Sequence, residues 1–178
     1  MRPRLATVWL GGCSGCHMTL LDLDERLLEL ARGIDVPYSP LVDAKDFPEG
    51  VDVTLVEGAV ANEEHLALAR RVRERTRVLV ALGDCAVSGN VTAMRNTCGG
   101  ARAALERAYL DPAVLSPVIP EAPGILPRLL DPVVPLHQTV RVDHFLPGCP
   151  PHPDLVGELL ARLLAGERPS LAGKLRFG

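Results

Sequence analysis

The chain is predicted to be an α/β protein, a parallel sheet with helices on both faces. Three observations carry this. Short apolar runs alternate with helical patterns as strand, helix, strand, strand, helix, strand through residue 82. Apolar residues make up 47% of the 178 residues and charged ones 23%, enough to bury a core. Four of the five cysteines fall where an apolar run stops at a glycine-rich loop, the carboxyl edge at which such sheets hold their ligands. The length suits one domain, and residues 1–178 are expected to form it.

Residues 5–10 read as a buried strand, broken by Gly11 and Gly12. Residues 18–31 carry leucines at helical spacing with acids between them, an amphipathic helix that Gly33 ends. Residues 34–42 form a second strand weakened by Pro37 and Pro40. Val51–Glu57 is a third strand, bounded by Gly50 and Gly58. Asn62 caps a helix running to about Arg75, with Glu63 and Glu64 in its positive first turn and Arg70, Arg71, Arg73 and Arg75 toward its negative end. Residues 77–82 are the next strand. Residues 89–100 read as an extended loop and residues 101–109 as a short helix. Residues 111–136 hold seven prolines (Pro112, Pro117, Pro120, Pro123, Pro127, Pro132 and Pro135), so an irregular crossover is expected there. Its apolar residues, Val114, Leu115, Val118 and Ile119 among them, suggest that it lies against a partner. Residues 140–145 are a last strand, and Asp154 or Pro153 starts a final helix over residues 155–164.

A net charge of −3 argues against non-specific nucleic-acid binding, and 3% aromatics leave no base-stacking platform. No apolar stretch is long enough to span a membrane. The basic and then apolar start meets G-G-C rather than a cleavage site and reads as a first strand, not a signal peptide. Five cysteines without a secretion signal fit a reducing, cytoplasmic compartment.

Cys13 and Cys16 form a C-x-x-C between a strand and a helix, so both sulfurs can reach one metal or cluster. A redox pair, a zinc site and two unrelated buried thiols are the alternatives for that pair alone. Cys85 in L-G-D-C and Cys149 in P-G-C-P-P-H-P shift the balance. A redox pair needs only two thiols, and zinc ribbons use two compact knuckles. A cubane 4Fe–4S cluster takes four thiolates from loops that surround it. Glycines in those loops permit close backbone approach and N–H donation to sulfur.

The segments G-G-C-S-G-C-H-M-T-L-L-D, V-E-G-A-V-A-N-E-E-H, L-G-D-C-A-V-S-G-N-V-T-A-M-R-N and P-G-C-P-P-H-P, in that order, resemble the small subunit of nickel–iron hydrogenases. The A-M-R-N extension and the short length look most like the cytoplasmic, bidirectional NAD-reducing group. The resemblance implies a flavodoxin-like fold, with Cys13, Cys16, Cys85 and Cys149 ligating one 4Fe–4S cluster. It implies a large-subunit partner carrying the nickel–iron site. Larger hydrogenase small subunits carry a C-terminal domain with two further clusters. This chain, with only Cys98 unassigned before Gly178, is expected to pass its electrons to a diaphorase module carrying flavin and further clusters. The cluster subunit of respiratory complex I shares the G-C-P-P ending but uses adjacent cysteines in its first loop; the separated Cys13 and Cys16 favour hydrogenase.

Glu57 resembles the acid of the hydrogenase E-G motif and is expected near the cluster with Gly12 and Gly148; a helix-capping or surface carboxylate is the alternative. Asp84 is expected to accept loop N–H bonds. His17 is read as a donor to cluster sulfur, a helix cap or a residue facing the large subunit. His144 is read as a strand residue, His152 as exposed, Cys98 as a packed or partly exposed thiol, and the Arg70 to Arg77 run as a solvated helix end or a docking patch. The G-G-C-S-G loop also resembles a phosphate-binding turn. FMN there ranks below the cluster, because the cysteines occupy the loop that the phosphate needs.

Overall fold

The computed structural model describes residues 2–113, 115–167, 169–171, 173–175 and 177; Val114 and Gly178 lie outside the described residues. In chain order the elements are β1 (Arg4–Trp9), α1 (Gly15–Leu21), α2 (Glu25–Gly33), β2 (Asp35–Tyr38), β3 (Val51–Glu57), β4 (Val60–Asn62), α3 (Glu63–Arg75), β5 (Thr76–Leu82), α4 (Gly83–Ser88), α5 (Asn90–Ala93), α6 (Gly100–Tyr109), β6 (Leu129–Val134), β7 (His144–Leu146) and α7 (Pro153–Leu164). Short 3₁₀ turns cover Met94–Cys98 and Leu136–Gln138.

Five strands pair in the order β2-β1-β3-β5-β7, every pair parallel. Counted along this sheet alone the order is 2-1-3-4-5, the flavodoxin-like winding. Alternate side chains of the strands build two apolar layers. Leu5, Val53, Val80 and Leu146 pack with Leu20 of α1 and with Val156, Leu159, Leu160 and Leu163 of α7. Ala6, Val8, Val56, Leu79 and Ala81 pack with Ala69 and Val72 of α3 and with Phe47 and Leu136. The sheet is thus covered on both faces, and its carboxyl edge is left to loops.

Four expectations need correction. The helix over residues 18–31 is broken at residues 22–24, where Asp24 takes a φ of 50°. The break turns Leu23 inward against Gly157 of α7, where a Cβ would stand 3.0 Å from Leu23 Cδ2. Residues 89–100 are helical turns rather than an extended loop. The crossover over residues 111–136 contains β6, which pairs antiparallel with β4, a strand not foreseen. Asn96 holds this ribbon by bonding Val133 both ways, accepting from its N–H at 2.9 Å and donating to its carbonyl at 2.8 Å. Arg95 donates to the carbonyls of Ala61 and Leu130. The A-M-R-N segment is therefore a staple for the ribbon. Finally, the last strand starts only at His144, four residues late, because residues 139–143 turn to place Asp143 under β5.

The α3 cap is as expected: Asn62 Oδ1 accepts from the His65 amide at 2.7 Å. The arginines that follow are more than a solvated end. Arg73 donates to Asp143 at 2.6 Å, Arg75 pairs with Glu49 at 2.8 Å, and Arg77 pairs with Asp52 at 3.4 Å, fastening the amino edge of the sheet.

Candidate metal centre

Because β1, β5 and β7 run parallel, their following loops meet at one edge. Hydrogen bonds tie the loops to one another. Gly11 exchanges two backbone bonds with Ala59, at 2.9 and 2.8 Å. Gly58, at φ 91°, makes this approach possible, since a Cβ there would lie 2.8–2.9 Å from the backbone of Leu10 and Gly11. Asp84 N donates to Gly148 O at 2.9 Å, and Gly148 N donates to Asp84 Oδ1 at 2.7 Å, joining the loops of Cys85 and Cys149. Thr19 Oγ1 donates to Pro151 O at 3.1 Å, joining α1 to the Cys149 loop. Gly83, at φ 80°, leaves room for the Cys16 sulfur, which a Cβ would strike.

These loops enclose a cavity of about 80 Å³ lined by Cys13, Gly15, Cys16, Glu57, Asp84, Cys85, Gly148, Cys149 and Pro150. Among the described residues, no three His, Cys, Asp or Glu side chains are grouped to hold a single ion. Another open depression, at the amino edge between Glu49, Asp52, Arg75 and Arg77, contains no sulfur and is crossed by the ion pairs above.

Charge at the cavity is poorly solvated. Glu57 is 2% exposed, and its Oε2 accepts from the His17 amide at 2.9 Å and lies 2.5 Å from His17 Nδ1. Burial, with the nearby Glu57 and the other thiols adding to it, pushes the Cys16 thiol far above its ordinary value. Burial also raises Cys85, opposed by hydrogen bonds from Thr92. Four thiols and a buried carboxylate around one space are costly as anions unless a cationic group compensates them. The donor set fits an iron–sulfur centre: four soft thiols share one space, while the carboxylates beside them accept from the His17 and Gly148 amides.

The cavity thus brings together Cys13, Cys16, Cys85, Cys149, Glu57 and Gly148. Gly12 stands behind Glu57, where a Cβ would come 3.3 Å from Glu57 Oε1. Asp84 accepts a loop N–H as expected. Glu57 lines the cavity, and its carboxylate also accepts an amide in the first turn of α1. His17 is buried against Glu57 rather than lining the cavity, and its Nε2 has no partner among the described residues. His144 begins β7, and His152 caps α7 by accepting from Asp154 N at 3.3 Å. Cys98 is exposed in the Met94–Cys98 turn, apart from the cavity. Asn90 and Thr92, which touch Cys149 and Cys85, were not foreseen; the G-N pair after Cys85 marks a turn, but nothing in it marks a sulfur contact.

A protein-family profile described as "NADH ubiquinone oxidoreductase, 20 Kd subunit" matches residues 13–163. The chain belongs to this family. The relatives that it resembles are components of hydrogenases. The NAD-reducing hydrogenase HoxS subunit delta of Cupriavidus necator is 40% identical over 92% of this chain and 79% of its own length. A component of the vhu F420-non-reducing hydrogenase of Methanocaldococcus jannaschii is 35% identical over 97% of this chain, which spans 59% of that relative. The iron-sulfur component of the F420-non-reducing hydrogenase of Archaeoglobus profundus is 31% identical over 95% of this chain and 58% of its own length. A solved structure of an NAD+-reducing [NiFe]-hydrogenase in the H2-reduced state superposes with a TM-score of 0.94 at 39% identity, covering all of both chains.

Proposed function

We propose that this chain is the small electron-transfer subunit of an NAD-reducing nickel–iron hydrogenase. In this reading Cys13, Cys16, Cys85 and Cys149 hold one 4Fe–4S cluster, and residues 1–178 serve as one iron–sulfur domain. The observation that carries it is the single cavity at the carboxyl edge into which all four cysteines fall. When bound, the cluster relays single electrons between the nickel–iron site of a large partner subunit and a flavin- and cluster-bearing diaphorase module. The chain's own residues fix the four thiols in place through the loop-to-loop bonds of Asp84, Gly148, Gly11 and Thr19, bury Cys16, and shield one face from water. Glu57 occupies the first-turn amide of α1, which an FMN phosphate would otherwise use, and this supports ranking flavin below the cluster. Five free cysteines fit a cytoplasmic site, and no described helix is long and apolar enough to cross a membrane.

Cys149→Ala in the anaerobically purified assembly tests the ligand set. Loss of most bound iron and of hydrogen-dependent NAD reduction is expected, with Cys98→Ala keeping both. A Cys149→Ala variant that retained iron and full activity would sink the assignment. The family description favours one second reading, a quinone-reductase subunit. An assembly without nickel that reduced quinone would support that reading instead.

A further inference from the structure

Two polar residues that the proposed electron relay does not yet use lie against the cysteine sulfurs. Asn90 is half-buried at the start of α5, and its Nδ2 stands 3.5 Å from Cys149 Sγ. Thr92 lies beside Cys85 and opposes the rise that burial imposes on its thiol. Thr92 Oγ1 donates to Gly11 O at 2.8 Å, in the loop that leads to Cys13. The backbone is shaped to allow this. Gly89 takes a φ of 90° and Asn90 one of 34°, a region that Asn tolerates better than other residues bearing a side chain. Thr92 Cγ2 also lies where a Cβ on Gly11 would come within 3.2 Å, so Thr92 is seated tightly against the first cysteine loop.

We propose that Asn90 is a positioning residue that sets the reduction potential of the cluster, by hydrogen-bonding to the sulfur of Cys149 and so favouring its reduced form. This rests on the cluster reading above. One-electron reduction adds one negative charge to a centre whose charge spreads onto its ligand sulfurs. An N–H dipole aimed at one of those sulfurs stabilises the more negative state more strongly. Removing it therefore makes the centre harder to reduce. A purely structural role would lower cluster content or stability and leave the potential of the clusters that do form unchanged.

The test is a redox titration followed by EPR on the anaerobically purified full-length chain with the subunits it brings down. Asn90→Gly deletes the amide donor while accepting the positive φ. Thr92→Val deletes the hydroxyl bond to Gly11 O but no donor to a sulfur, and serves as the control. Asn90→Gly is expected to shift the midpoint to a more negative value by about a tenfold change in the reduction equilibrium, 59 mV for one electron. Thr92→Val leaves the midpoint near the parent, because the lost hydroxyl proton pointed at Gly11 O. A full EPR signal with the midpoint unmoved in Asn90→Gly, or moved as far in Thr92→Val as in Asn90→Gly, overturns the proposal while leaving the cluster reading intact. No iron–sulfur signal in the parent protein overturns the cluster reading and this proposal with it.

Discussion

Asp84 shows how single residues prepare the centre. Its side chain accepts from Gly148 N while its own amide donates to Gly148 O, so the Cys85 and Cys149 loops share two bonds at the rim. Asp84→Ala should cost about 1–3 kcal/mol, as expected when a buried N–H loses a charged acceptor, and lower bound iron. Asp84→Asn keeps an acceptor and should cost less. Differential scanning calorimetry and iron analysis of the two variants check this, and equal melting temperatures for Asp84→Ala and the parent would contradict it. The convergence of the four cysteines was legible in the sequence, because each lies in a glycine-bearing loop just after an apolar run. The partners of those sulfurs were not. Asn90 reaches Cys149 across 59 positions, and only the assembled sheet brings the two together.

Among the elements, legibility followed length and punctuation. Val51–Glu57 is found to the residue because an apolar, β-branched run lies between two glycines. Three-residue β4 carries too little pattern, and its partner β6 lies in a proline-rich stretch that reads as irregular. The ribbon exists because Arg95 and Asn96 supply the bonds that short strands lack. Asn96→Ala should cost about 1–3 kcal/mol by orphaning the Val133 N–H and C=O. Faster amide exchange across residues 129–134, with the five-stranded sheet unchanged, is the expected readout; uniform exchange would contradict the staple. The long helix predicted over residues 18–31 failed for a similar reason. Leucine spacing alone does not reveal that Leu23 must turn toward Gly157 on a helix more than a hundred residues away.

In the whole molecule, stability and chemistry occupy opposite edges of the sheet. The amino edge is tied by charge. Burial works to raise the Asp143 carboxyl, but the Leu79 amide and the Arg73 and Arg141 guanidiniums outweigh it and hold the group below its usual range. A carboxyl depressed in the folded state stabilises above its unfolded value, about pH 3.9, and the contribution is lost as pH falls through the folded value. Asp143→Asn should therefore cost about 1–2 kcal/mol at pH 7, with the difference shrinking toward zero below about pH 3.9. Urea midpoints at pH 7 and pH 3 test this, and a difference that grew in acid would contradict it. The carboxyl edge gathers sulfur. The flavodoxin-like winding was legible from the alternation of elements, and it explains why cysteines at positions 13, 16, 85 and 149 meet at all.

The most direct test of that convergence is iron and acid-labile sulfide per chain, measured on anaerobically purified protein with an EPR spectrum after reduction. The account predicts roughly four irons and four sulfides per copy of this chain, beyond those of any co-purifying subunits, with a reduced-cluster signal that Cys13→Ala, Cys16→Ala, Cys85→Ala and Cys149→Ala each abolish. Stoichiometric zinc, or a well-folded chain without iron or sulfide, would contradict it.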